Sequence, residues 1–257
     1  MNVLITSGGT TERIDTVRSI SNMSTGKLGS LIADRFLAEP QIEKIIYVCG
    51  DTAIKPQSPK VEIIHIDNVS SLETAIRESL HRVNIDIIIH AMAVSDYRVS
   101  TVTSMGNITD SIISNLEKIK KSDIQSARAM VASLLKNPES AISGNGKIKS
   151  DLEDMLLFME RTPKIISLFQ LLAPQSTLVG FKLLDNVPVD VLIDKGFRIL
   201  TENKCAYVLA NDLRNITGEQ HTGYLIDKEK SYTRYTSKTE IASAIVSAAI
   251  RERTKAL

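Results

Sequence analysis

Short runs of isoleucine, valine and leucine recur along this chain with amphipathic stretches between them, and that alternation restricts the possible folds more than any other property. Val3 to Ile5, Ile45 to Val48, Ile63 to Ile66, Ile85 to Ile89, Thr177 to Gly180 and Tyr207 to Ala210 are short and rich in Ile and Val, the pattern of strands buried on both faces. Leu28 to Leu37, Ser70 to Leu80, Pro163 to Leu172 and Val189 to Leu200 place apolar residues three and four apart, as helices lying on a sheet require. Alternating strand and helix predicts a Rossmann-like α/β fold with a doubly wound, mainly parallel sheet. Tyr224 to Ile226 and Ser231 to Tyr235 flank a charged turn and predict a late antiparallel hairpin, with Thr239 to Arg251 as the closing helix. Helix starts are expected at capping boxes formed by Ser70 with Glu73 and Ser237 with Glu240, and at Thr162-Pro163.

The 257 residues suit a single α/β domain spanning 1–257. The stretch from Ser100 to Lys149 breaks the rhythm: it is rich in Ser, Asn and Lys, and is too long for an ordinary connection. It reads as an insertion or flap over about 100–149. With 31 Lys and Arg against 30 Asp and Glu, the charge total argues against a nucleic-acid or anionic-membrane partner, so any phosphate site must be local. Cys49 and Cys205 are the only cysteines and lie in strand-like runs, which predicts reduced, buried thiols. Without a secretory leader or a spanning apolar run, the chain is expected to be cytoplasmic.

One segment points to chemistry. Ser7 to Gly29 is polar and glycine-rich where the first strand hands over to the first helix, and there the N–H groups at Gly8, Gly9 and Gly26 and the positive end of a helix dipole offer donors to a phosphate. It is not a P-loop, because Gly26-Lys27 is framed by Ser21 and Leu28 where that motif needs Gly and Ser or Thr. Nor is it the dinucleotide fingerprint, since Gly8-Gly9-Thr10-Thr11-Glu12-Arg13 has no third glycine in register. Asp51 could imitate a ribose-binding acid, but reads more simply as a turn aspartate. An NAD(P)-dependent oxidoreductase of the Rossmann type is therefore the alternative reading, favoured by fold pattern alone.

Ser7-Gly8-Gly9-Thr10, then Asp15-Thr16-Val17-Arg18-Ser19-Ile20-Ser21-Asn22, then Ser24-Thr25-Gly26-Lys27-Leu28-Gly29 resembles the opening motifs of the phosphopantothenate-cysteine ligase family, also called phosphopantothenoylcysteine synthetase. The resemblance continues in the same order through Ala93-Val94-Ser95-Asp96-Tyr97-Arg98, Lys147-Ile148-Lys149, Thr162-Pro163-Lys164-Ile165, Val179-Gly180-Phe181 and Ala210-Asn211-Asp212. It covers nearly everything except Ser100 to Asn145.

That resemblance implies a ligase of coenzyme A biosynthesis joining 4'-phosphopantothenate to L-cysteine. The substrate carboxylate would attack the α-phosphate of a nucleoside triphosphate, CTP or else ATP, and cysteine's amine would displace the nucleotide from the resulting acyl-CMP. Magnesium is the implied cofactor, and no metal-ligand set is readable. Lys147 matches the family's essential lysine, a counter-charge for the α-phosphate, and Asn22 matches its active-site asparagine, which handles the acyl phosphate without adding charge. Gly8, Gly9, Ser24, Thr25 and Gly26 would meet phosphate oxygens, Asp96 the sugar or a bound magnesium, and Phe181 the base. Arg18, with Arg13, would meet the terminal phosphate of phosphopantothenate or instead pair with Glu12 or Asp15. Asn211 would orient phosphopantothenate. Two positions depart from the family pattern: Lys182-Leu183-Leu184 stands where relatives carry an acidic pair, and Asn203 where they carry lysine. A homodimer is implied, and the following decarboxylation would fall to a separate chain.

Overall fold

The computed structural model describes residues 1–136, 138, 148, 154–217 and 220–255. The chain divides into two compact units of interleaved segments: Met1–Thr10, Asn22–Val94 and Lys164–Leu257 form the larger, Thr11–Ser21 and Ser95–Pro163 the smaller.

In the larger unit the apolar runs form an eight-stranded sheet in the order Tyr232–Ser237, Gln220–Ile226, Tyr207–Thr217, Thr177–Leu184, Ile87–His90, Asn2–Ser7, Lys44–Gly50, Val61–Ile66. The last six run parallel, and the first two close the sheet as an antiparallel hairpin. Successive strand side chains point to opposite faces. Leu4, Ile46 and Ile88 therefore enter one core, with Leu72, Phe169 and Leu192 from the helices Val69–Arg82, Ile165–Leu172 and Val189–Glu202. Val3, Ile5 and Tyr47 enter the other, with Ile32, Phe36 and Ile245 from Lys27–Leu37 and Lys238–Lys255. This is the doubly wound α/β arrangement the alternation predicts. Among the described residues no helix is long and apolar enough to cross a membrane.

Two expected helix starts are corrected. The helix Val69–Arg82 is capped by Asn68, whose side chain accepts from Ser71 N at 2.9 Å while Ser71 Oγ accepts from Asn68 N at 3.0 Å, so the box begins two residues before Ser70. Thr162-Pro163 lies outside its helix, which begins at Ile165 after Lys164; Thr162 donates its N–H to Asp96 O at 3.1 Å and its hydroxyl to Ser95 O. At Ser237 the box forms as expected, with Glu240 N on Ser237 Oγ and Ser237 N on Glu240 Oε2, both at 3.2 Å. Cys49 and Cys205 are buried and free, and burial raises their thiols to about 11 and about 12, so neither is a ready nucleophile.

The smaller unit holds two antiparallel pairs, Thr11–Arg13 with Ser19–Ser21 and Tyr97–Thr103 with Leu156–Arg161. It also holds the helices Met105–Ser114, Leu116–Lys121 and Ile124–Lys136, which take up much of the stretch that the sequence sets apart.

Candidate active site

The strand order fixes where a ligand can enter. From the adjacent strands Asn2–Ser7 and Ile87–His90, the sheet continues through Lys44–Gly50 on one side and through Thr177–Leu184 on the other. Their carboxyl ends mark the switch point at which open α/β sheets bind ligands. The two chains stay paired beyond the strands: Ala91 N donates to Thr6 O at 3.0 Å, Ala93 N to Gly8 O at 2.8 Å, and Thr10 N to Ala93 O at 3.1 Å. Asn22 closes this turn, its N–H on Thr10 O at 3.1 Å and its Nδ2 on Ala93 O at 3.3 Å. One amide proton and the Oδ1 of Asn22 carry no partner among the described residues.

Glycine is required here for two different reasons. Gly8 has φ +81°, left-handed backbone that a side chain disfavours. At Gly9 the obstacle is space, because a Cβ would lie 2.1 Å from the carbonyl oxygen of Asn22. Gly26, at φ +69°, is the N-cap of Lys27–Leu37; it has no side chain to cap the helix, Ser7 Oγ donates to its carbonyl at 3.2 Å, and no acid occupies the first turn. The positive end of the helix dipole is thus not neutralised by a carboxylate from its own first turn. Ser24 is half-buried and Thr25 exposed; Thr25 Oγ1 accepts from Lys27 N at 3.4 Å, and its carbonyl from Ile54 N at 3.0 Å. One step back from the strand ends, Thr6 Oγ1 meets His90 Nδ1 at 2.8 Å, with the Phe169 ring edge-on to the imidazole at 5.3 Å. Burial lowers the His90 pKa to about 4, so the ring is neutral.

Along the same sheet, Phe181 is half-buried against the core shared with Lys27–Leu37, and Asn211 is buried with its Nδ2 3.3 Å from His221 Nε2. Asn203, the departing position, ends the helix Val189–Glu202: its Nδ2 donates to Ile199 O at 3.0 Å and its Oδ1 accepts from Ser167 Oγ at 3.3 Å. Asp51 sits in an exposed turn and pairs with His65 at 2.9 Å.

In the smaller unit Asp15 organises its own turn. Its carboxylate accepts N–H bonds from Val17 at 2.8 Å, Arg18 at 2.7 Å and Ile148 at 3.2 Å, which hold its pKa below the usual carboxylate value. Arg18 donates to Ile148 O at 3.2 Å and lies 3.7 Å from Asp15 Oδ2, so the arginine is engaged in the pairing the sequence left open beside the phosphate role. Ile148 is gripped at both its N–H and its carbonyl. Lys147 and Lys149 lie outside the described residues. Asp96 is exposed at the start of Tyr97–Thr103. Among the described residues no cluster of three or more His, Cys, Asp or Glu is arranged to hold a metal.

The sequence matches the family described as DNA/pantothenate metabolism flavoprotein C-terminal domain over residues 1–129 and 108–252. The chain belongs to this family. It is similar to the coenzyme A biosynthesis bifunctional protein CoaBC of Methanocaldococcus jannaschii, 27% identical over 251 residues, covering 95% of this chain and 49% of that protein. The Escherichia coli K12 protein of the same name is 30% identical over 165 residues, covering 64% of this chain and 36% of that one. The chain thus spans about half the length, or less, of these curated relatives. Among solved structures, the DNA/pantothenate metabolism flavoprotein from Streptococcus pneumoniae superposes with a TM-score of 0.76 at 32% identity, over 98% of this chain and 99% of that one. A Cab2 mutant complexed with phosphopantothenate-cysteine shares the fold, with a TM-score of 0.69 at 18% identity, over 99% of this chain and 87% of that one.

Within this DNA/pantothenate metabolism flavoprotein C-terminal domain, sequence reasoning missed His221 and the loop-holding roles of Asp212 and Asp15, both of which stand in motifs it names. Asp212 accepts N–H bonds from Asn186 at 3.3 Å, Val187 at 2.9 Å and Arg214 at 2.9 Å, which pull its pKa down to about 2. It pins the loop that precedes Val189–Glu202. Asp15 does the same work in the smaller unit. His221, a lone histidine in a polar stretch, carried no signal; only the strand register brings it to Asn211.

Proposed function

We propose that this protein is a phosphopantothenate-cysteine ligase of coenzyme A biosynthesis, using CTP as the activating nucleotide. The observation that carries the reading is the switch-point turn: two glycines that tolerate no side chain, an asparagine docked on Ala93, and an acid-free helix entrance at Gly26. Family membership and the product named in the Cab2 complex support it.

Activation is needed because a carboxylate does not accept an amine without a leaving group. A carboxylate oxygen of 4'-phosphopantothenate bonds to the α-phosphorus of CTP, the bond to the bridging oxygen breaks, and pyrophosphate leaves. Cysteine's amine then attacks the acyl carbon of the acyl-CMP, loses a proton, and expels CMP. The first step gathers negative charge around the α-phosphorus and the second on the acyl oxygen and the departing CMP, and preset donors lower both barriers. N–H groups around Gly8, Gly9 and Gly26 and the hydroxyls of Ser24 and Thr25 serve the phosphates, Lys147 supplies the counter-charge, and Asn22 orients the acyl phosphate through its remaining amide proton. Asp96 serves the sugar, Phe181 the base, and Arg18 and Asn211 the phosphopantothenate. Magnesium, when bound, would screen the charge of the triphosphate. We further propose a homodimer.

Incubation with phosphopantothenate, CTP and cysteine tests the reading. Cysteine-dependent product with stoichiometric pyrophosphate supports it, and parallel reactions with ATP assign the nucleotide. Turnover of NADH, with no pyrophosphate, would replace it with the oxidoreductase alternative.

A further inference from the structure

We propose that His221 sets the orientation of the Asn211 amide and offers its own Nδ1–H to a neutral acceptor on the substrate, so that the pair reads the secondary amide of the pantothenoyl arm; this rests on the ligase reading above. Asn211 and His221 are 7% and 5% exposed, with Asn211 Nδ2 3.3 Å from His221 Nε2. An amide nitrogen only donates, so Nε2 is the acceptor, and a neutral ring with a bare Nε2 carries its proton on Nδ1. That Nδ1 is buried and is the one such side-chain atom without a hydrogen-bond partner among the described residues. An unpaired buried donor costs free energy, and it calls for a reason that packing alone does not supply.

Its surroundings supply one. The ladder between Tyr207–Thr217 and Gln220–Ile226 shifts register between Asn211 and Ile216, and the ladder to Tyr232–Ser237 shifts between Gln220 and Gly223. His221 stands in that doubly irregular stretch, of the kind that re-aims side chains beside functional sites. Asn211 lies near the carboxyl end of the strand segment paired in parallel with Thr177–Leu184, the edge where ligands of such sheets collect. Burial, aided by the charge of Lys238, lowers the His221 pKa to about 4, and the ring stays uncharged at neutral pH. With Nδ2 committed to the ring, Asn211 keeps Oδ1 as its acceptor. A neutral donor and a neutral acceptor suit the C=O and N–H of an amide, whereas a phosphate has only acceptors and would be repelled by Oδ1.

Two measurements decide. Long-range nitrogen–proton NMR of the 15N-histidine-labelled protein should show His221 with its proton on Nδ1, and that resonance should move when 4'-phosphopantothenate is added without nucleotide. A proton on Nε2, or a resonance unmoved at saturating substrate, overturns the proposal whether or not the protein proves to be a ligase. In steady state, His221→Gln places an amide near Nε2 and removes the Nδ1 donor; KM for phosphopantothenate should rise about tenfold with kcat within about twofold and KM for CTP unchanged. An unchanged phosphopantothenate KM with only a lowered melting temperature would show a purely structural histidine. Failure of the wild-type protein to form product would remove the ligase reading, with the NMR result still deciding the role of His221.

Discussion

Gly9→Ala is the sharpest perturbation of the switch-point turn, because the added atom has one place to go. Its Cβ would stand 2.1 Å from the Asn22 carbonyl oxygen and 3.1 Å from the carbonyl carbon, both backbone atoms that cannot rotate away. Restoring an ordinary contact requires about 1 Å of movement, which overpacking studies associate with a cost of about 1–3 kcal/mol. The same movement carries Asn22 off the Thr10 and Ala93 carbonyls that hold it. A displacement of about 1 Å at a positioning residue costs roughly 10²-fold in rate. Pyrophosphate release should therefore fall by about two orders of magnitude while the protein remains folded at 25 °C. Gly106→Ala is the control: its Cβ meets only Ser104 Oγ, at an ordinary 3.7 Å, within a helix where alanine is favoured by about 0.5–1 kcal/mol. Thermal melts and single-turnover pyrophosphate release on both variants give the answer. If Gly9→Ala keeps the wild-type rate, Asn22 does not position the reacting groups and the assignment fails.

Lys147→Ala should cut pyrophosphate release by about 10²-fold or more, because the first transition state loses a counter-charge; a wild-type single-turnover rate would remove that role. Asp212, at about 2 against an ordinary 3.8, contributes stability that is complete above its unfolded value and is lost as pH falls through the folded one. In Asp212→Asn the acid limb of a urea-midpoint titration between about pH 4 and 2 should flatten, and an unchanged limb would refute the assignment. His90, at about 4 against 6.5, is linked in the same direction although its folded form is the neutral one: the unfolded chain takes up the proton first, so stability is complete above pH 6.5 and declines as pH falls toward 4. The decline amounts to about 3 kcal/mol and should shrink in His90→Gln, measured by denaturant midpoints across that range.

The sheet was legible because its strands are buried on both faces, and a run such as Ile87–Ile89 has no other economical fate. Strand ends were less so, since Thr177–Leu184 and Tyr207–Thr217 continue past their apolar runs into half-exposed residues held by the ladder. The pair Tyr97–Thr103 and Leu156–Arg161 escaped notice for a related reason: much of it is exposed, and its partners lie far apart in the chain. The turn Thr11–Ser21 owes its form to Asp15, a side chain bonded to backbone, and hydrophobic periodicity cannot display such a device. At the site, Gly8, Gly9 and Gly26 could be read because glycine at a strand–helix junction signals backbone demands. Arg18 could not, because a guanidinium free for a phosphate and one committed to a carbonyl 130 residues away look the same in sequence. His221 stayed silent until the register placed it beside Asn211.

Charge explains how the motifs divide their labour. Two unit charges 4 Å apart interact by about 1 kcal/mol in water and about 4 kcal/mol at an effective dielectric of 20, so a carboxylate turned toward a triphosphate would weaken its binding substantially. Asp15 and Asp212, which belong to motifs carrying the family resemblance, are instead each bonded to three backbone N–H groups. Those donors stabilise the ionised form and fix the loop to which each aspartate belongs. Asn22 and Asn211 carry uncharged amides, and the first turn after Gly26 holds no acid at all. On the proposed reading, anion binding in a chain of net charge +1 needs no surplus of cations. It needs the negative groups to be spent on backbone, so that helix dipole, glycine N–H groups and a few cations act without opposition.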